Sequence, residues 1–273
     1  MNAQPATART ERNRPVHIGD HLREWRQRRH LSQLNLAVDA EISARHLSFV
    51  ETGRAAPSRE MVLKLAERLD VPLRERNVLL VAVGYAPAFP QRPLDDPALT
   101  SARQAIELVL RAHEPNPALA VDRHWNLVSA NRMLTPLLEG IPERLFGRPL
   151  NVLRLSFHPE GLAPRTVNLA EWCGHLLERL HRQCEATADP ELLKLYHDLK
   201  ACPIRARSAP LPTDNVAIPF KLRHNGEVFS FFSTTMVFGT PVDITLSELA
   251  LETFFPADDL TARRLKEMAA AFA

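Results

Sequence analysis

Between residues 17 and 84, apolar side chains recur every three or four positions with polar side chains between them, which is the period of an amphipathic helix. Five such segments follow one another, and Gly53 ends the third with a residue type that commonly stops helices. Serine, a favoured N-cap, precedes three of the predicted helices, at Ser32, Ser43 and Ser58. The pattern predicts a unit of five short helices.

Beyond residue 99 the spacing changes along the chain and predicts a mixture of helices and strands. Two short strands are predicted within ALAVDRHWNLVSAN (118–131), and Asn225-Gly226 predicts the tight turn of a β-hairpin. The other predicted elements are helices at 101–113, 168–186, 189–201 and from Asp258, and strands at 216–223, 227–239 and 248–255. This order predicts an α+β domain that has a five-stranded antiparallel sheet with helices on one side.

Residues 31–54 predict two short helices joined by a tight turn. The small side chain of Ala37 allows two helices to cross closely, and Leu47 and Val50 form the buried side of the second helix. The exposed side of that helix then presents Ala44, Arg45, Ser48 and Phe49. This layout is typical of a helix-turn-helix, whose second helix enters the major groove of DNA. A helical hairpin that only packs is the alternative.

The same stretch resembles the Xre-type, phage-repressor-like class of helix-turn-helix domains, and the resemblance extends over residues 17–84. The matching residues are Ser32, Gln33, Ala37, Leu47, Val50, Glu51 and Gly53. One position departs from the class, because Glu41 stands where a glycine usually turns the chain in the left-handed conformation. A side chain at that position costs about 1–2 kcal/mol, so we expect Glu41→Gly to raise thermal stability.

The exposed face of the second helix and the resemblance together indicate residues that contact DNA. We expect Arg45 to bind guanine through two hydrogen bonds and Phe49 to contact a thymine methyl group. Packing between the third and fourth helices is the alternative role of Phe49. The resemblance implies phosphate contacts from Gln33, Thr52 and Arg54. The complete predicted DNA-binding set is Gln33, Ser43, Ala44, Arg45, Ser48, Phe49, Thr52 and Arg54.

Charge is distributed unevenly along the chain, whose formal net charge is +2. The first 90 residues carry 14 Lys and Arg against 10 Asp and Glu, so this part is basic and the remainder is slightly acidic. Within the first predicted helix, the arginines expected to face the phosphate backbone are Arg23, Arg26, Arg28 and Arg29.

Several classes of protein and site lack support in the sequence. No apolar run reaches the ~18–20 residues of a membrane span, and MNAQPATARTERNRPVH lacks the apolar core of a signal peptide. We therefore expect a cytoplasmic protein without a membrane partner. Cys173, Cys184 and Cys202 have no CxxC spacing, which favours separate thiols over a disulfide framework or a zinc site. Glu171 and His175 lie four apart without further ligands, so no metal site is predicted. The sequence has no Gly-rich phosphate loop, nucleophile elbow or carboxylate pair, so no enzyme is predicted.

The second half of the chain carries a further resemblance. ALAVDRHWNLVSAN looks like the first two strands of a PAS-type sensor domain. The whole chain resembles the MmyB-like regulators, which join an Xre-type helix-turn-helix to a PAS-like ligand-binding domain. The segments that carry this resemblance are RHLSFVETGR (45–54), PSREMVLKLAERLDVPLRERNVLL (57–80), NVLRLSFHPEGLAPR (151–165), NLAEW (168–172) and FFSTTMVFGTPVDITLSELALETFFPAD (231–258).

The resemblance implies a sequence-specific transcription regulator that binds double-stranded DNA, acts as a homodimer and responds to a small effector. The expected domains are a disordered basic tail at 1–16, an Xre-type helix-turn-helix domain at 17–85, a proline-rich linker at 86–98 and a PAS-like ligand-binding domain at 99–273. A C-terminal domain that only dimerises or binds another protein, without a ligand, is the alternative.

Large apolar side chains on the predicted strands and on helix 168–186 indicate where an effector would bind. They predict an apolar pocket between sheet and helices for a hydrophobic molecule such as a fatty acid, held without covalent attachment and with no other cofactor. The expected apolar lining is Trp172, Leu176, Phe220, Phe229, Phe231 and Met236, and the candidate partners of a polar head group are Arg154, His158 and Arg165. A fully packed core, in which the phenylalanines contact each other, is the alternative.

Overall fold

The computed structural model describes residues 17–202 and 218–271. The predicted tail at 1–16 and the start of the strand predicted at 216–223 lie outside the described residues. The chain divides into two units, Met1–Phe89 and Pro90–Ala273. No helix in the described ranges is long and apolar enough to span a membrane.

Five helices form the N-terminal unit, as the apolar spacing predicts. They are α1 (Ile18–Arg28), α2 (Gln33–Asp39), α3 (Ala44–Glu51), α4 (Arg59–Arg68) and α5 (Leu73–Ala82). The three predicted serine caps are confirmed, since the hydroxyls of Ser32, Ser43 and Ser58 each accept a backbone N–H of the helix that follows. These bonds satisfy donors that a helix leaves without an internal partner, and so they fix where α2, α3 and α4 begin.

Close approach between α1 and α3 depends on a glycine that the sequence pattern did not reveal. A Cβ atom placed on Gly19 would lie 2.4 Å from the carbonyl oxygen of Glu51. Only glycine therefore lets the start of α1 lie against the end of α3. The leucines Leu22, Leu36, Leu47 and Leu65 are fully buried in this unit.

The turn after α2 has the left-handed conformation expected at Glu41, with φ of 53°. At this turn Glu41 has a partner that the neighbouring residues of the sequence do not indicate. Lys64 Nζ of α4 lies 2.6 Å from Glu41 Oε2. The hydrogen bond and charge of Lys64 lower the pKa of Glu41.

The segment predicted as a linker packs against both units at its ends. On the N-terminal side, the Asn77 side chain accepts the backbone N–H of Ala88 at 2.8 Å and donates to the carbonyl of Phe89 at 2.7 Å. On the C-terminal side, Arg92 pairs with the buried Asp243 at 2.9 Å. The division into units falls inside this segment, between Phe89 and Pro90.

Within the described residues, the C-terminal unit has five strands in one antiparallel sheet of order β2-β1-β5-β4-β3. The strands are β1 (Ala118–Val121), β2 (Leu127–Ala130), β3 (Phe220–His224), β4 (Glu227–Val237) and β5 (Ala250–Pro256). Its helices are α6 (Thr100–Ala112), α7 (Leu134–Leu137), α8 (Val152–Phe157), α9 (Leu169–Thr187), α10 (Pro190–Lys200), α11 (Ile244–Ser247) and α12 (Asp259–Ala270). The predicted α+β architecture with a PAS-like antiparallel sheet is confirmed.

The predicted hairpin turn is also present. Asn225 and Gly226 have φ of 48° and 81° and connect β3 to β4, with His224 opposite Glu227. Positive φ at both central residues matches the twist of the strands, and asparagine and glycine reach it at low cost.

Helices cover both faces of the sheet, whereas the sequence predicted helices on one side. Leu119 and Val121 of β1 pack in the main core with α8, α9 and α10. Ala118 and Ala120, which alternate with them, pack against α6 on the opposite face. All four residues of β1 are buried. The side chains of the two alanines are small enough for a helix to pack against this face of the sheet. The alternation of side chains along the strand does not by itself predict that packing.

Candidate DNA-recognition face and ligand cavity

Helix α3 has the buried and exposed sides that a recognition helix needs. The hydroxyl of Ser43 accepts the His46 backbone N–H at 3.1 Å and starts the helix, and Leu47 and Val50 are fully buried. Of the predicted contact residues, Arg45 is exposed, and Ala44, Ser48 and Phe49 are half-buried. The helix therefore keeps one side open in the N-terminal unit.

Phe49 brings two of the predicted arginines together. The guanidinium carbon of Arg45 lies 5.3 Å from the centre of the Phe49 ring, and that of Arg54 lies 5.9 Å from it. A cation over an aromatic face is attracted by the ring quadrupole. The ring is thus a platform that positions two exposed cations, a role that the sequence did not suggest for Phe49. Thr52 lies between them in sequence, and its hydroxyl donates to the carbonyl of Ser48 at 2.7 Å.

Gln33 and the arginines of α1 surround a buried carboxylate. Arg26 donates to Glu51 through Nε at 2.7 Å and through Nη2 at 3.0 Å, and Gln33 Nε2 donates at 2.6 Å. Arg23 donates to the carbonyl oxygen of Glu51 at 3.0 Å. Burial opposes the charge of Glu51, but these hydrogen bonds and the charges of Arg26 and Arg23 leave its pKa lowered. Gln33 was predicted to contact a phosphate. In the structure, its hydrogen bond to Glu51 joins α2 to α3.

The positive charge predicted on α1 is therefore largely committed within the unit. Besides Arg26, Arg28 pairs with Glu24 at 2.8 Å, and Arg29 donates to the carbonyls of Leu69 and Asp70. These arginines stabilise helix contacts and have less charge to offer phosphates than their number suggests. The sequence gives the number of charged side chains, but it does not show which distant residues pair with them.

An apolar cavity of about 100 Å³ lies between the sheet and the helices of the C-terminal unit. Four of the predicted residues line it, namely Trp172 and Leu176 of α9, Phe220 of β3 and Phe231 of β4. Apolar side chains from the segments around β2, α7 and α8 complete the wall, among them Leu127, Leu134, Leu137, Val152 and Leu155. Space able to hold more than a few waters thus remains beneath the sheet.

In the part of the chain that the structure describes, two charged residues line the cavity, and neither was predicted from the sequence. Arg179 of α9 and Glu252 of β5 form an ion pair at its wall. The Arg179 guanidinium also lies 4.5 Å from the centre of the Trp125 ring. A local signal for Arg179 existed, since it follows Trp172 and Leu176 at helical spacing. Glu252 gave a weaker signal, as a single acid in the apolar run ALETFF.

The three predicted partners of a polar head group lie outside the cavity. Arg154 pairs with Asp198 at 2.8 Å on the surface. His158 accepts the backbone N–H of Glu160 through Nδ1 and shares a separate surface depression with Arg154. Arg165 donates to two backbone carbonyls and to the His224 ring. These predictions are corrected, because Arg154 and Arg165 are held by partners that are distant along the chain, and His158 by a residue two positions further on.

Phe229 and Met236 are also absent from the cavity wall. Phe229 is buried in the core and contacts the Phe231 and His224 rings. Met236 is 41% exposed, since it lies an odd number of positions after Phe231 and so points to the opposite face of β4. The prediction treated all large side chains of the strand as one set and ignored this alternation.

Among the described residues, no group of three or more histidines, cysteines or acids is placed to hold a metal ion. The three cysteines are free thiols. Burial raises the pKa of Cys173 to about 12, with a smaller contribution from Cys202. A thiol of that kind is unreactive at neutral pH, because the thiolate is the nucleophile.

Comparison with known proteins agrees with both units. Residues 102–268 match the family described as MmyB-like transcription regulator ligand binding domain, and residues 17–79 match a helix-turn-helix domain family. Among solved structures, the chain is similar to an RNA-binding light-oxygen-voltage receptor, with 13% sequence identity and a TM-score of 0.25. That similarity covers 93% of this chain and 63% of the receptor chain, so the chain spans less than two thirds of the receptor's length. No curated protein matches the chain.

Proposed function

Because the chain belongs to the family of MmyB-like transcription regulators, we propose that it binds a specific DNA sequence through α3 and that a small apolar effector in the C-terminal unit modulates this binding. The DNA-binding helix-turn-helix and the ligand-binding domain are properties of the families that it matches. Sequence specificity, the effector and their coupling are the proposed part.

The proposed DNA contacts centre on Arg45, with Arg54 beside it on the Phe49 ring. Arg45 reads a guanine, and the predicted phosphate contacts position the helix. A bidentate arginine–guanine contact contributes about 1–3 kcal/mol of discrimination. The protein is proposed to act as a homodimer, which places two α3 helices on an inverted repeat with half-sites about 10–10.5 bp apart or a multiple of that distance.

The observation that carries the effector part is the apolar cavity beneath the sheet. A cavity with a mostly apolar wall and a few polar groups is typical of small-molecule sites. A small hydrophobic effector acts by binding the DNA-competent and incompetent arrangements unequally, since a ligand shifts an equilibrium only by its differential affinity.

One observation favours a second candidate function for the C-terminal unit. Phe232 and Phe255 are paired across β4 and β5 and are 41% and 44% exposed, on the sheet face opposite the cavity. Such a patch suits a protein interface. In this alternative the unit is a ligand-free interaction module.

A DNA-binding experiment tests the first part of the proposal. The full-length protein selects its operator from random double-stranded DNA, and its affinity for the operator and for random DNA is then compared with that of Arg45→Ala. We expect a loss of about tenfold or more on the operator and a small loss on random DNA. Arg68→Ala, which removes one charge from α4, is the matched control. Equal losses of Arg45→Ala on both DNAs would remove Arg45 as a base-reading residue.

A further inference from the structure

Among the described residues, the charged groups of the cavity wall lie together at one place. Of the described residues that line it, the charged ones are Arg179 and Glu252, and the hydroxyl-bearing ones are Ser156 and Ser233. Ser233 of β4 pairs with Phe254 of β5, and Thr235, two residues further along β4, pairs with Glu252. A polar group on an otherwise apolar ligand is best satisfied near this ion pair.

The two charges of the pair are already matched to each other. Arg179 Nη1 donates to Glu252 Oε2 at 2.8 Å, and Nη2 donates to Oε1, so the contact is two-pronged. The Thr235 hydroxyl donates to Oε1 at 3.2 Å. The side chain of Glu252 is 5% exposed and that of Arg179 is 24% exposed. The polar end of the cavity therefore has strong hydrogen-bonding groups and no net charge.

This arrangement penalises a ligand that carries its own carboxylate. To reach Arg179, such a ligand has to displace Glu252 or lie beside it. Displacement leaves Glu252 buried with only Thr235 as a partner, and breaking a buried pair in this way is strongly unfavourable. Two carboxylates that share one arginine repel each other. A binding site can reject a ligand when binding would leave a charged group unpaired or place two like charges side by side.

A neutral head group meets no such penalty. Arginine has five N–H donors, of which the two hydrogen bonds to Glu252 use two, and carboxylate oxygens can accept more than one hydrogen bond. An amide or hydroxyl can donate to Glu252 and accept from Arg179 without separating them. We propose that the cavity, in its role as the effector site of the proposed function, selects neutral ligands with an apolar body and one amide or hydroxyl head group over free acids of the same length.

The size of the cavity limits the apolar body. Its volume is about 100 Å³, and an apolar cavity of about 150 Å³ is large enough to bind benzene. Because this cavity is smaller than that one, the matching ligand has an apolar body of at most about six carbon atoms. Hexanamide, 1-hexanol and hexanoate each have six carbon atoms, share a pentyl chain and differ at the carbon that carries the head group, and cyclohexane has no head group.

The test measures the dissociation constants of these four compounds for the full-length protein at neutral pH by ligand-observed NMR. We expect hexanamide and 1-hexanol to bind at least about tenfold more tightly than hexanoate, which is the factor that about 1.4 kcal/mol produces. Glu252→Gln keeps the shape of the side chain and removes its charge, so hexanoate should gain at least about tenfold in affinity. Asp198→Asn, which removes the acid of the surface pair with Arg154, is the matched control and should preserve the wild-type order.

Each result decides the inference. Hexanoate binding as tightly as hexanamide to the wild-type protein overturns it, and this comparison needs no variant to fold. An unchanged preference in folded Glu252→Gln also overturns it. If cyclohexane binds and the three compounds with head groups bind equally well, the proposed effector site is supported and its selectivity for neutral ligands is refuted. Failure of all four compounds to bind removes both.

Discussion

Each unit of the chain buries a glutamate against an arginine, and the two pairs differ in what surrounds them. Glu51 receives hydrogen bonds from Arg26 and Gln33, and Gly19 packs against its backbone. Glu252 receives hydrogen bonds from Arg179 and Thr235, and both charged residues of its pair also line an apolar cavity. The exposed fraction of Glu51 is 2% and that of Glu252 is 4%, so burial does not distinguish them.

The difference shows that a buried ion pair by itself does not identify a functional site. Desolvation of two charges costs free energy that only good geometry and further hydrogen bonds offset. Around Glu51, donors from α1 and α2 supply these bonds, and the pair connects three helices. Around Glu252, part of the surroundings is a cavity, so a ligand can supply hydrogen bonds there. The space beside the pair at Glu252 is what makes it a candidate binding site, in contrast to the structural contact at Glu51.

The largest effect that separates the two pairs is expected from Glu51→Ala. Because Arg26 is only 12% exposed, it would be left buried without its partner, and we expect the free energy of unfolding of the N-terminal unit to fall by about 3–5 kcal/mol. Hydrogen exchange read by mass spectrometry over α1–α3 measures this unit within the full chain. Glu24→Ala, which breaks the exposed pair with Arg28, should change exchange little. A loss below about 1 kcal/mol for Glu51→Ala would refute the structural role.

A smaller effect is expected at the cavity. Glu252→Leu leaves Arg179 without its acid, but the guanidinium keeps the Trp125 ring and is 24% exposed. We expect a loss of about 1–3 kcal/mol in the C-terminal unit, measured by hydrogen exchange over α9 and β5. The double variant Arg179→Met/Glu252→Leu should regain most of that loss, since well-packed apolar residues often replace a buried pair without cost. A double variant as unstable as the single one would show that the pair is as structural as the one at Glu51.

The smallest effect concerns an acid that is paired but exposed. Glu41→Gly relieves the left-handed backbone and removes the pair with Lys64. Exposed pairs contribute little, so we expect the melting temperature to rise by less than about 5 °C. In a Lys64→Ala background the rise should be larger, because no pair remains to lose. A lower melting temperature for Glu41→Gly in both backgrounds would mean that Glu41 is favourable at this turn for another reason.

Features set by neighbouring residues were predictable from the sequence. The serine caps and the Asn225-Gly226 hairpin depend on a few consecutive residues, and the left-handed turn at Glu41 was predicted from the resemblance to the Xre-type class. Of the four predicted residues that line the cavity, Trp172 and Leu176 follow from helical spacing, whereas Phe220 and Phe231 were predicted only as large side chains of the strands.

Features set by distant partners were not predictable in this way. Arg179 and Glu252 are 73 residues apart, and nothing near either one indicates the other. Gln33 and Arg26 have the residue types of DNA contacts, and only the three-dimensional structure shows that both bind Glu51. The packing of α6 on the second face of the sheet likewise depends on two alanines of β1. Polar side chains with several possible partners are therefore the weakest part of a prediction from sequence.

The central claim is that occupancy of the cavity controls DNA binding. The most direct measurement is the dissociation constant for the selected operator in the presence and absence of saturating hexanamide, for the wild-type protein and for Leu176→Trp, in which the larger side chain occupies the cavity. We predict a change of at least about fivefold in the wild-type protein, the lower end of usual coupling between sites, and no change in Leu176→Trp. An operator affinity that hexanamide leaves unchanged while it demonstrably binds the wild-type cavity would contradict the claim.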